Sequence, residues 1–331
     1  MKSRVTRQDV ARLAGVSTAV VSYVINDGPR PVSAAAKERV LAAIEATGYA
    51  PNRAAQALVS GRSRSIGLLI PNAKNLFLAE LTHALGKCAF EANYTLVLGD
   101  AADSTERERE LVRHFMNQQL GGFIWYSVDQ PVPVKLLRQH CPTTVLLNAT
   151  ASTPTTPNAV KMMVDEKKQG YMAMQHLICR GSEQLAVLAG PAHRENTQAR
   201  LAGSKQAASE YGRQIRQVEF TDFTEAAGAK AFERFKDIDG LVTANERQAL
   251  GVLHAANLAG VAIPETLKVV AINGTEFAKF ASPGLSTVDQ DVAYLARKTI
   301  EVMENPREEV EIPVMMRARE SSGGSRNETN S

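Results

Sequence analysis

Cysteine is scarce. Cys88, Cys141 and Cys179 are the whole complement, odd in number, far apart and without CxxC or His-flanked spacing, which argues against a disulfide framework or a zinc site. Buried, reduced thiols are the expectation. Long apolar runs are missing as well: nothing approaches the roughly 18 residues of a membrane span. The opening MKSRVTRQDV has no apolar signal core, so the expectation is a cytoplasmic protein with no membrane partner. Neither GxGxxG nor GxxxxGK[ST] occurs, which removes the usual phosphate-cradling fingerprints. The histidines, His83, His114, His140, His176, His193 and His254, are scattered, with no GxSxG and no metal-spaced cluster. No enzyme chemistry, metal or cofactor is therefore expected.

What is present is size and an uneven charge. The 331 residues, 44% of them apolar, are enough for two or three units. Residues 1–65 hold 10 Lys/Arg against 4 Asp/Glu, a balance of +6 within an overall +3. The positive charge is thus concentrated at the N-terminus. There, Thr6 with Asp9 three residues on is a capping-box arrangement, and Val10, Leu13 and Ala14 supply an apolar face. Gly15 ends that helix and Ser17 caps the next after about three residues, the length of a helix-turn-helix connection. A third helix from Ser33 is expected to bury Val40, Leu41 and Ile44 and to stop at Gly48.

Pro51 opens an Ala-rich piece too short to be a stable helix alone, and a Ser/Arg linker follows to Ser65; this segment is expected to fold with a partner. From Ile66 the rhythm changes to apolar runs alternating with helical stretches: IGLLI, TLVLG, GFIWY, TVLL, KMMV, LAVLAG, GLVTA, KVVAI and STVD. Such alternation predicts α/β architecture, two doubly wound parallel-sheet lobes with helices on both faces. The tail, SSGGSRNETNS, is polar and expected to be disordered. The organisation read from these changes is an all-α headpiece over 1–50, a hinge and linker over 51–65, a two-lobed domain over 66–320, and a tail over 321–331.

The second helix is plain: between Ser17 and Asn26 it holds no Lys, Arg, Gln or Glu. Advancing about 100° per residue groups Val20, Val21, Val24 and Ile25 on one side and Ala19, Ser22, Tyr23 and Asn26 on the other, with Thr18 at the edge. That outer face either meets water or enters a major groove, where second-helix residues meet base edges. The motifs VTRQDVARLAGVS, VIND, VS, ERV and GYAPNRAAQAL, in this order, resemble the DNA-binding headpiece of the LacI family of bacterial transcription regulators. The resemblance implies a homodimer on double-stranded, near-palindromic operator DNA. Its implied DNA-contacting residues are Thr6, Ser17, Thr18, Ala19, Ser22, Tyr23, Asn26 and Arg30. A hinge helix in the minor groove would add Asn52, Arg53 and Ala55, with Leu58 as the wedge that kinks the central step. Tyr23 stands where relatives often carry a base-reading Arg, and the NDGPRPVS loop is about one residue longer than usual, so operator preference cannot be carried over.

The resemblance continues to about residue 320 through IGLLIPN, RERELV, VDEKKQGYMAMQHL, RLAG, TANERQALG, VVAING and STVDQD. It implies a core similar to type I periplasmic sugar-binding proteins, two lobes joined by three crossovers and closing on a small-molecule effector, a sugar or a nucleoside- or purine-like compound. Loops beyond the carboxyl ends of strands are also where an open α/β sheet binds ligands on general grounds. The implied effector contacts are Asn75, Phe77, Tyr126, Asn148, Arg194, Asn196, Arg200, Phe223, Asn245, Asn273 and Gln290. Alternatives stand beside several of them: a surface helix charge or an ion pair with a neighbouring Glu for Arg200, a solvated loop for Arg194 and Asn196, and core packing for Phe223. Asn245 and Gln290 are placed at inter-lobe crossings. Asn273 replaces the family's usual Asp, Leu76 its frequent Pro and Ser182 its frequent His, so the effector's identity stays open. Beyond EIPVMMRARE there is no leucine-heptad segment, which favours a dimer over a tetramer. Two other functions compete, a solute-binding protein for transport and an enzyme on a doubly wound fold; the basic headpiece opposes the first and the scattered histidines the second.

Overall fold

The computed structural model describes residues 5–26, 28, 30–50, 63–118, 120–128, 133–137, 143–150, 152–154, 156–306 and 309–324, with only the backbone at Asn26. The chain divides into two compact units, Met1–Ser63 and Arg64–Ser331.

In the first unit α1 spans Arg7–Ala14, α2 Thr18–Asn26 and α3 Ala34–Thr47. The capping box forms as the spacing predicts: Thr6 Oγ1 accepts from Asp9 N while Thr6 N donates to Asp9 Oδ2. Gly15 and Gly48 end α1 and α3 at φ 61 and φ 63, the left-handed region that glycine enters without a Cβ penalty. The core is Val10, Ala11, Ala14, Val21, Val40 and Ala43, with Val20, Val24, Ile25 and Ile44 partly buried against it. Two expected core residues lie outside: Leu13 is 59% and Leu41 51% exposed. Ala11, Ala14 and Ala43 take the contact instead, because small side chains let helices approach closely and push the larger ones to the rim.

The second unit holds two six-stranded sheets. The first has order β11-β5-β4-β3-β1-β2 and is parallel throughout. Its strands are β1 Ser65–Ile70, β2 Thr95–Asp100, β3 Gly122–Tyr126, β4 Thr144–Ala149, β5 Ala159–Val164 and β11 Glu309–Ile312. Period-two alternation divides its core. Ile66, Leu68 and Ile70 face α4 (Leu76–Glu91) and α10 (Val292–Glu304); Leu69, Phe123 and Trp125 face α5 (Thr105–Asn117). The second sheet has order β12-β10-β9-β8-β6-β7, from β6 Leu185–Ala189, β7 Ile215–Phe220, β8 Gly240–Thr243, β9 Lys268–Asn273, β10 Ser286–Gln290 and β12 Val314–Arg317. Its helices are α6 Glu166–Cys179, α7 Glu195–Glu210, α8 Glu225–Phe232 and α9 Glu246–Leu258.

The nine apolar runs quoted above all fall on strands, LAVLAG and GLVTA running one residue past the strand end. Missing from those nine are β7, IRQVEF, β11, EVEI, and β12, VMMR, all at sheet edges, where one side needs little burial; in β7 and β11 the apolar signal fades accordingly. The second sheet is also not wholly parallel, since β12 runs antiparallel to β10. The chain crosses between sheets three times: at Asp165, which caps α6, at Asp291, which caps α10, and at Pro313 between β11 and β12.

Two further expectations are corrected. Cys179 is exposed at the end of α6 and Cys88 is half-buried at the rim of the first core, both free; Cys141 lies outside the described residues. The tail does not begin at Ser321. Ser321 and Ser322 are fully buried in a short 3-10 turn, where Ser321 Oγ donates to Val269 O and Ser322 Oγ meets Ser286 Oγ and His176 Nε2. Local polarity suggested solvent, but sheet carbonyls and hydroxyls satisfy these side chains inside.

Close helix packing in the second lobe depends on paired glycines. A Cβ on Gly203 of α7 would overlap the carbonyl of Lys167 on α6, and one on Gly170 of α6 would overlap the carbonyl of Arg200 on α7. Gly203→Ala is expected to destabilise the unit by about 1–3 kcal/mol despite alanine's better helix propensity. Urea unfolding followed by circular dichroism measures this; an unchanged or raised midpoint would show that the helices can separate freely.

Candidate functional site

On the headpiece, Ser17 Oγ accepts from Val20 N, so the residue just before α2 is its cap. Thr18 and Ala19 follow, both exposed, and Ser22 and Tyr23 are half-buried beside them; Val21, on the far side, is fully buried. The Tyr23 ring lies against Gly28, whose amide donates to Tyr23 O at 3.0 Å, so the ring packs on the loop that follows its own helix. Arg30 is exposed. Thr6 is committed to its cap. The side chain of Asn26, and Asn52, Arg53, Ala55 and Leu58 of the hinge, lie outside the described residues.

In the two-lobed unit the carboxyl ends of β4 and β5 open on a cavity. It has a volume of about 480 Å³, also lies beside β11, and is walled by Asn148, Thr150, Glu166, Glu195 and Asn196. Asn148 holds φ 54 there. Arg200 of α7 is buried, with Nε on Glu166 Oε2 at 2.6 Å and a terminal nitrogen donating to Ala244 O at 2.6 Å. The ion-pair reading of Arg200 is therefore realised: α6, α7 and the end of β8 are tied through one guanidinium. Tyr126, at the end of β3 on the other lobe, looks onto this group. Burial raises its phenol pKa above the ordinary value, and the Glu166 carboxylate adds to that while Arg200 and Arg194 oppose it.

Phe223 packs over Gly190, where a side chain would collide with the ring and with Thr197 Oγ1. Asn245 Nδ2 donates to Phe223 O and its Oδ1 caps α9 at Gln248 N. Asn273, at φ 113, accepts from Gln290 Nε2 at 3.4 Å. Asn148 and Asn196 thus share one wall, Tyr126, Arg194 and Arg200 one electrostatic neighbourhood, Phe223 and Asn245 one loop junction, and Asn273 and Gln290 one contact.

One expected contact, Phe77, and one expected placement, Asn245, are corrected. Phe77 is buried among Leu78, Leu81 and Leu85 in the first core, because helical spacing puts it on the sheet side of α4. Asn75 caps α4 at Leu78 N. Asn245 lies inside the second lobe between β8 and α9, whereas Gln290 does stand at a crossing. Sequence reasoning also passed over Ser127 and Thr197. Ser127 directly follows β3 and Thr197 stands in the first turn of α7, after β6, and each has a buried hydroxyl without a hydrogen-bond partner among the described residues. Nothing in their local sequence marks them; their signal is the unmet hydrogen bond.

Residues 6–52 match the model of the bacterial regulatory proteins of the lacI family, and residues 174–322 that of the periplasmic binding protein-like domain. Over 293 residues the chain is 30% identical to catabolite control protein A of Priestia megaterium, covering 86% of this chain and 87% of that protein. The chain belongs to the LacI family. It is 28% identical over 306 residues to the HTH-type transcriptional repressor PurR of Photobacterium profundum, with 90% of each covered. The crystal structure of the Lac repressor dimer bound to operator and the anti-inducer ONPF shares the fold, with a TM-score of 0.85, 24% identity, and 97% of this chain and 99% of that chain covered. As a LacI-family member the chain is a DNA-binding transcription regulator, a helix-turn-helix headpiece followed by two periplasmic-binding-protein-like lobes. None of these relatives is named as an enzyme. No helix among the described residues is long and apolar enough to cross a membrane, and they contain no His/Cys/Asp/Glu group able to hold a metal.

Proposed function

We propose that the chain is a cytoplasmic, non-enzymatic repressor that binds double-stranded operator DNA as a homodimer, with its affinity set by a small molecule held between the lobes. The observation that carries the reading is the join of two features in one chain. One is a capped α2 anchored by Val21, with Thr18 and Ala19 open to a partner; the other is a cavity walled by Asn148 and Asn196, in a unit where Asn273 and Gln290 end strands and Ser127 and Thr197 keep unsatisfied buried hydroxyls. Hydroxyls, amides and methyl groups on α2 suit phosphates, base edges and thymine methyls without charge. Amides that both donate and accept, in a cleft with half-buried aromatic rings, suit a polyol or a heterocycle, hence a sugar or a nucleoside- or purine-like effector. The Lac repressor structure supports the assembly, since that protein is seen as a dimer on operator with a small molecule bound.

Effector binding would favour one lobe arrangement and thereby change the operator affinity of the paired headpieces; coupling of this kind is worth typically 1–3 kcal/mol, about 5- to 150-fold. The Ser17–Tyr23 face, Arg30 and the hinge segment with Asn52, Arg53, Ala55 and Leu58 are assigned to DNA. Tyr126, Asn148, Arg194, Asn196, Phe223, Asn273 and Gln290 are assigned to the effector, and Arg200 to holding the pocket's walls through Glu166.

The test is selection of duplexes from a random library with the full chain, followed by affinity measurement with and without a panel of sugars, nucleosides and purines. A preferred sequence and at least one compound that shifts its affinity five-fold or more are expected. Equal affinity for all duplexes in every condition would overturn the reading.

A further inference from the structure

The segment leaving β9, Asn273–Glu276, meets three carboxylates at three successive positions, two of them through hydrogen bonds. Gly274 has φ 72, and the space a Cβ would fill is occupied by the carboxylate of Asp289. Asp289 lies on the neighbouring strand β10 as the register partner of Asn273. Thr275 N donates to Oε1 of Glu246, the first residue of α9, at 2.7 Å. Glu276 N donates to Glu80 Oε2 at 2.9 Å. Glu80 sits on α4, in the other lobe. Two acids of the second lobe and one of the first therefore meet on one short segment, and the bond from Glu276 to Glu80 spans the lobes.

We propose that this trio links approach of the two lobes to proton uptake by the second: neutral Glu246 and Asp289 let Glu80 meet residues 273–276, and ionised Glu246 and Asp289 repel Glu80 and its lobe. The charges bearing on Glu246 and Asp289 are each other, Glu80 of α4, Arg317 of β12 and Arg319 just beyond it. The two arginines do not neutralise the trio cleanly. Arg317 Nε stands 3.5 Å from Asp289 Oδ2, and Arg319 spends a terminal nitrogen on Leu285 O and Thr287 Oγ1. Burial pushes Glu246 up to about 7, with Asp289 and Glu80 adding to the rise. Burial likewise pushes Asp289 up to about 6, against the pull of Arg319 and Arg317. Because the nearby Glu80 adds to both rises, bringing its lobe close favours the protonated forms of Glu246 and Asp289, so the closed arrangement is favoured at low pH and weakens as pH climbs through about 6 to 7.

The inference rests on the lobes of the proposed effector cleft being able to move, but its test uses neither effector nor DNA, so the regulatory reading can fail or stand apart from it. Hydrogen exchange of the Glu276 amide is measured in the full chain at pH 5.5 and 8.0, corrected for intrinsic exchange. Protection about tenfold or more higher at pH 5.5 is expected, with Glu246→Gln raising the pH 8.0 value toward the pH 5.5 one. Glu80→Gln, a change outside the second lobe, is expected to do the same, whereas Glu80→Ala removes the acceptor and lowers protection at both pH values. Equal wild-type protection at the two pH values overturns the proposal. So does an unaltered pH response in Glu80→Gln, which would confine the effect to one lobe, or unaltered protection in Glu80→Ala, which would mean that the inter-lobe bond is not made.

Discussion

Replacing Arg200 by alanine is expected to destabilise the two-lobed unit by about 3–5 kcal/mol, the cost of leaving a buried charge without its partner. The pair is enclosed on both sides, with side chains 8% and 10% exposed for Arg200 and Glu166 and an Nε to Oε2 distance of 2.6 Å. Truncation would also leave Ala244 O without the donor that now reaches it from α7. Chemical unfolding followed by circular dichroism checks the size of the effect, and a loss below about 1 kcal/mol would mean that water or another cation reaches Glu166 readily. Arg200→Met combined with Glu166→Leu should recover most of the stability, since apolar replacement of a buried pair is often neutral or better. That double variant also separates two roles. If it folds well yet has lost its response to compounds that shift operator affinity in the wild type, the pair shapes the pocket; if the response persists, the pair only holds α6 to α7.

Operator binding is expected to collapse with salt. If Lys2, Arg7, Arg30 and Arg53 of each headpiece contact phosphates, a dimer neutralises about eight, and raising monovalent salt from about 50 to 200 mM should weaken binding by about 10³–10⁵-fold through counterion release. Most of the affinity would then be electrostatic, which suits an α2 with no charge of its own between Ser17 and Asn26. Titrations over a salt series give the slope directly. Arg30→Ala should reduce the slope by roughly 2 per dimer without changing which sequence is preferred, because phosphate contacts position the protein rather than read bases. A slope near zero would remove the basic N-terminus from the interface.

The headpiece shows how far neighbours along the chain can carry a reading. The Thr6 and Asp9 pair, the stops at Gly15 and Gly48 and the Ser33 cap all recur in the structure, because capping joins groups three or four residues apart. The same reading misplaced Leu13 and Leu41. Which side of a short helix is buried depends on how closely α1 and α3 approach, and that is decided by Ala11, Ala14 and Ala43 meeting across the bundle. In the lobes, apolar runs marked the central strands and the edge strand β2 but not the edge strands β7, β11 and β12; edge positions leave the polar residues of β7 and β11 in water.

The sequence by itself determined the family, the α/β lobes after a helical headpiece, and the uncharged outer face of α2, since motif order, apolar period and capping residues are all local properties. Only the tertiary structure decided what the cleft residues do. Arg200 turned to Glu166 rather than outward, Phe77 went into the core, and the amide of Asn245 was taken up by a helix cap and the Phe223 carbonyl. Glu80, Glu246 and Asp289 meet on Asn273–Glu276 although almost 200 residues separate the first contact's ends. The physical reason is that burial, partner and charge at a strand's carboxyl end are set by loops from other strands and from the opposite lobe, whose distance along the chain is unrelated to their distance in space.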